Sequence, residues 1–128
     1  MVFWIFMLIV NLLIPVIMIG FGNHFSENAP GKINSLFGYR TTMSMKNENT
    51  WAFAHTHFAM LWLRWGRIML PLSFVLMLFS FNRSQDFIGN YGLIILFIQL
   101  IFLISTIPLT EKALKKYFDK DGNSIKEI

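Results

Sequence analysis

Few side chains in this 128-residue chain are suited to chemistry. His24, His55 and His57 are its only histidines, and it has no cysteine. Without a thiol there is no disulfide, no thiolate zinc site and no cysteine nucleophile. His55 and His57 stand two residues apart, so on a helix they do not share a face. No third metal ligand accompanies them at a useful spacing, so they read as packing or interfacial histidines, with a metal site as the minor alternative. The sequence carries no glycine-rich phosphate loop, no H-E-x-x-H and no G-x-S-x-G. No carboxylate lies inside an apolar run, so an acidic proton or cation relay is not supported. The expectation is a non-enzyme with no catalytic residue, no cofactor and no metal.

Two concentrations of polar residues remain. His57, Arg64 and Pro71 recur at sevens and Arg67 follows Arg64 by one turn, which puts them on roughly one helix face. Pro71 leaves the Arg67 carbonyl without its helical donor. The favoured reading is a pair of arginines snorkelling at a membrane interface. The competing one is a cationic groove for an acidic headgroup, an acidic peptide or the chain's own Glu48 and Asp119. The second concentration is N-S-L-F-G-Y-R-T-T-M-S-M-K-N-E-N-T-W, residues 34–51. Gly38 between Phe37 and Tyr39 suggests a tight turn with both rings dipping toward an interface. Arg40 can pair with Glu48, or point its donors at carbonyls or a phosphate. Ser44 is expected to cap the next helix, answered by Asn47 or Glu48.

The elements that must position these residues are helices in a membrane. The chain is 55% hydrophobic and only 14% charged, well below the roughly 25% charged of soluble domains. About 20 apolar residues cross a bilayer, and three runs meet that length. Spans are expected over about residues 2–22, 62–81 and 87–109. The first reads as an uncleaved span, because no basic segment precedes it and no small-x-small cleavage site follows. Within it Pro15 frees the carbonyl of Asn11, which a neighbouring helix is expected to satisfy. Residues 44–61 read as a juxtamembrane helix leading into the second span. The short N-R-S-Q-D link makes the last two spans an antiparallel hairpin. Pro108 is expected to help end the third, and Asp121-Gly122-Asn123 reads as a turn in the tail. The fold class is thus an all-α integral membrane protein forming one domain, 1–128. Its three transmembrane helices frame a structured cytoplasmic segment, 23–61, and a cytoplasmic tail, 110–128.

Net charge is +4, and its distribution is uneven. Lys32, Arg40, Lys46, Arg64, Arg67 and the tail lysines fall on one side of the three spans, and Arg83 alone on the other. The positive-inside rule therefore puts residues 34–51 and the tail in the cytoplasm and the N-terminus outside. Basic clusters in such a chain point to orientation and membrane-surface contact rather than to nucleic acid.

The 34–51 segment closely resembles the signature of the SdpI family of bacterial membrane proteins. Its positions here are Asn34, Phe37, Gly38, Tyr39, Arg40, Thr41, Ser44 and Trp51. The tail is similar to the family's end at Glu111, Leu114, Phe118, Asp119 and Gly122. Arg64 and Arg67 are not part of that signature. The family's namesake is longer, confers immunity to a secreted toxic peptide and captures a transcriptional repressor. The resemblance implies a bacteriocin-immunity or sensing protein of the cytoplasmic membrane, with the bilayer, a toxic peptide and a cytoplasmic regulator as partners. Its candidate binding residues are the signature positions together with His57, Arg64 and Arg67. The alternative is an accessory structural subunit of a larger membrane complex. A small transporter or membrane enzyme, using Arg40, His55, His57, Arg64 and Arg67 as an anion site, ranks last.

Overall fold

The computed structural model describes residues 1–27 and 39–125. Three helices, α1 (Val2–Glu27), α2 (Glu48–Leu78) and α3 (Gln85–Tyr117), account for most of them. Each is long and apolar enough to cross a membrane, and no strand lies among the described residues. They form an up-down-up bundle. Trp4 of α1 meets Met77 near the end of α2, while Gly89 at the start of α3 lies 3.6 Å, by its would-be Cβ, from Phe3.

Small residues set how closely α1 approaches α2. A Cβ on Gly22 would sit 2.8 Å from the Ala59 carbonyl oxygen and 2.8 Å from the Leu63 amide nitrogen. One on Gly66 would lie 3.1 Å from the Pro15 carbonyl oxygen. Lipid tails are as apolar as leucine, so helices in a bilayer associate through such close packing and through polar contacts. Long apolar side chains such as Ile9, Phe74, Phe97 and Ile104 point outward, as expected where the surroundings are hydrocarbon rather than water.

The polar contact expected at Asn11 is present. Pro15 leaves the Asn11 carbonyl free, and Gln99 of α3 donates to it through Nε2 at 2.8 Å. The same nitrogen lies 2.7 Å from the Ser73 hydroxyl of α2. One glutamine thereby ties all three helices together at mid-bundle.

Two local expectations are corrected. α3 does not end near Pro108 but runs through it to Tyr117. A proline removes one hydrogen bond, whereas the next turns bury Thr110 and Leu114 completely. The cap of α2 is Asn47, not Ser44. Asn47 Oδ1 accepts from the Thr50 N–H at 2.9 Å, and Thr50 Oγ1 accepts from the Asn47 N–H at 3.0 Å. Ser44 instead closes the preceding turn. Of the two alternatives for Arg40, the pair with Glu48 does not form; both residues are exposed.

Candidate functional site

The signature segment enters the described residues at Tyr39, and that residue holds it to two helices. The Tyr39 N–H donates to His55 Nε2 at 2.8 Å. Because Nε2 accepts, the imidazole proton resides on Nδ1, which donates to the Trp51 carbonyl one turn back at 2.8 Å. The Tyr39 hydroxyl reaches α3, lying 2.9 Å from Glu111 Oε1 and 3.1 Å from the Ile107 carbonyl oxygen. Burial, then the hydrogen bond to Glu111 and that carboxylate's charge, hold this hydroxyl above the ordinary tyrosine range. Its ring stacks on Phe58 at 5.2 Å, and Phe25 of α1 closes the cluster against His55 at 5.6 Å.

The next residues form a turn held by side chains. Ser44 Oγ accepts from the Thr41 N–H at 2.9 Å and donates back to the Tyr39 carbonyl at 3.0 Å. Thr41 Oγ1 accepts from the Ser44 N–H at 3.2 Å. Thr50 Oγ1 lies 3.0 Å from the Ser44 carbonyl, carrying the chain into α2. Asn47, while capping α2, donates through Nδ2 to the Gly122 carbonyl at 2.7 Å. Gly122 has φ +87, a conformation that glycine alone adopts readily. The tail folds back around it, with the Asp119 N–H donating to the Asn123 carbonyl at 2.8 Å. Asp119 Oδ1 accepts from the backbone of Asp121 and Asn123, both at 2.9 Å. These bonds hold the Asp119 carboxyl below its usual range.

The predicted residues thus separate into two groups. Tyr39, Thr41, Ser44 and Trp51 join one hydrogen-bonded and aromatic platform, and Arg40 is exposed at its edge. His57 faces α3, its Nδ1 3.2 Å from Thr110 Oγ1. Arg64 and Arg67 lie exposed further along α2, outside the platform. Asn34, Phe37 and Gly38 lie outside the described residues. From the sequence, Asn47 is expected only to answer Ser44, Glu111 stands only in the family-like tail, and His55 reads as a packing or interfacial histidine; their bonds to Gly122 and to Tyr39 were not foreseen. His55 stands one helical turn after Trp51 and so on the same buried face. Among the described residues no group of three or more histidines and carboxylates comes together.

Two concavities flank the platform. The first, about 500 Å³, opens between the helices and is walled by Phe21, Phe58, Trp62, Leu103 and Ile107, with Arg40 and Thr41 at its rim. The second, about 620 Å³, lies beyond Thr41 and is bounded by the turn, the end of α3 and the folded-back tail.

The model of the SdpI/YfhL protein family matches residues 31–110. The chain belongs to that family. The matched residues take in the described part of the signature, all of α2 and α3 as far as Thr110; α1 and the tail lie outside them. No curated protein and no solved structure gives a significant match. The multi-pass membrane character read from the apolar runs agrees with both the family and the three long helices.

Proposed function

We propose that this family member is a bacterial inner-membrane immunity or sensing protein that binds a membrane-active toxic peptide. In this reading the signature and tail face the cytoplasm, where a regulator can meet them, and the N-terminus lies outside. The distribution of lysine and arginine supports that orientation. The observation that supports binding is the apolar groove between the helices. Its walls are aromatic and aliphatic, and it adjoins a platform held to α2 by the Tyr39 backbone N–H and to α3 by the Tyr39 hydroxyl. An apolar peptide arriving through the bilayer meets a preformed surface, which lowers the ordering cost of binding. Sequestering a peptide requires no pathway through the bundle and no catalytic group.

Expression in peptide-sensitive cells tests this reading. Survival under a panel of membrane-active peptides should rise, and Ile107→Trp, which fills the groove, should abolish the gain while leaving the protein in the membrane. Unchanged sensitivity to every peptide, with the protein present at normal levels, rejects it. Purification in native detergent then decides the accessory-subunit alternative, which requires a stoichiometric partner of different mass.

A further inference from the structure

We propose that the two concavities together form a site for one anionic phospholipid, with its phosphate in the second concavity and an acyl chain in the first. Thr41 lines both, so they adjoin one another across that residue. Their chemistry differs in the way an amphiphile requires. The first is walled by Phe21, Phe58, Trp62, Leu103 and Ile107, some of which are lipid-facing side chains. The second holds Lys46, Lys115 and Lys120, with Glu111 and Asp119 as its carboxylates. Both carboxylates are turned onto internal donors: Glu111 receives the Tyr39 hydroxyl, and Asp119 the backbone of the tail turn. The three ammonium groups are exposed and have no partner among the described residues. Arg40 stands at the apolar rim, adding a fourth cation next to Thr41.

This second concavity is a built cleft rather than a loose basic surface. Its far wall is held in place by the Asn47–Gly122 bond at 2.7 Å and by the Ile125 N–H donating to the Tyr117 carbonyl at 2.9 Å. Met43, Phe118 and Ile125 line the space between the lysines, offering apolar contact to a glycerol backbone. The site lies where α3 leaves its apolar run and the polar tail begins, the level at which headgroups sit. Lysine attracts phosphate as a point charge without bidentate geometry, which suits a headgroup that keeps its mobility. The acyl chain takes the groove proposed above for a peptide, so the two would compete for it, and lipid binding does not depend on that peptide.

The test is thermal unfolding of the purified full chain in neutral detergent, titrated separately with phosphatidylglycerol, phosphatidylcholine and inorganic phosphate. Phosphatidylglycerol should raise the midpoint at concentrations at least tenfold below those at which phosphatidylcholine acts, and inorganic phosphate should not reproduce it. The triple variant Lys46→Gln, Lys115→Gln, Lys120→Gln should lose at least tenfold in apparent affinity. Lys112→Gln, Lys116→Gln, Arg83→Gln removes the same charge outside the cleft and should retain it. Leu103→Trp, which narrows the apolar half and touches no charge, should also weaken it. Equal response to the two lipids, or equal loss in the charge-matched variant, overturns the proposal. So does inorganic phosphate or a soluble acidic octapeptide stabilising as well as phosphatidylglycerol, since either means that no acyl chain is recognised.

Discussion

Around Trp4, Met7, Met77, Ile88 and Ile95 the helices meet mainly through the shape of apolar side chains, with the Trp4 indole donating to Met77 and Ser80 as the main polar contact. At the opposite end, around Tyr39, Phe58, Leu114 and Phe118 with His55 against them, backbone and side-chain donors are matched one to another. The first arrangement suffices where lipid surrounds the bundle. The second holds a segment with no regular structure, whose backbone groups would otherwise be buried without partners. The difference teaches where precision is concentrated: the far end needs only to stay packed, whereas the platform end must hold one surface.

The largest effect is expected where both arrangements depend on helix spacing. Gly22→Leu drives a side chain into the α2 backbone and should cost about 3 kcal/mol, at the upper end of overpacking penalties, as measured by unfolding in detergent. An unchanged midpoint means α1 does not approach α2 this closely. His55→Ala should come next, at about 2 kcal/mol, because it leaves the buried Tyr39 N–H unsatisfied. Amide exchange should accelerate at Tyr39 and the turn after it, and not at Met77. Trp4→Phe, which removes the corresponding donor at the other end, should cost nearer 1 kcal/mol; the reverse order would erase the contrast between the ends.

Alkaline pH separates the ends without a large perturbation. The folded-state hydroxyl of Tyr39 titrates above its unfolded value, so its contribution is fully present below about pH 10, the unfolded tyrosine value. It is lost as pH rises from there through the folded value. Stability of the native chain should therefore decline above that pH more steeply than that of Tyr39→Phe, and parallel curves would refute the assignment. The smallest change is expected at mid-bundle. Gln99→Leu removes the donor to the Asn11 carbonyl and should cost only about 0.6 kcal/mol, typical of hydrogen bonds between membrane helices.

The helices were legible because apolar runs of that length, two of them uncharged and the second broken only by Arg64 and Arg67, have few alternatives, and the freed Asn11 carbonyl because a proline removes its donor by a local rule. The platform was legible only as a segment of unusual composition. Tyr39 meets His55 across 16 positions and Glu111 across 72, and no periodicity connects residues so distant. The misplaced cap has a similar cause. Ser44 and Asn47 are both good caps, and the choice between them rests on Asn47's second bond to Gly122, far along the chain. Pro108 misled because it stands in an apolar run, while the burial that carries α3 onward comes from Thr110 and Leu114.

Asn47 gives the fold a mechanical link. One side-chain amide anchors the first turn of α2 through its oxygen and the tail through its nitrogen. Releasing the tail therefore leaves that amide free to swing, and the start of α2 loses the restraint that fixes its cap. A soluble protein that grips the tail beyond Asp119 would thus loosen the first turn of α2, which ends at Trp51, whose backbone carbonyl orients His55. The tail and the platform thus share one side-chain amide as their connection.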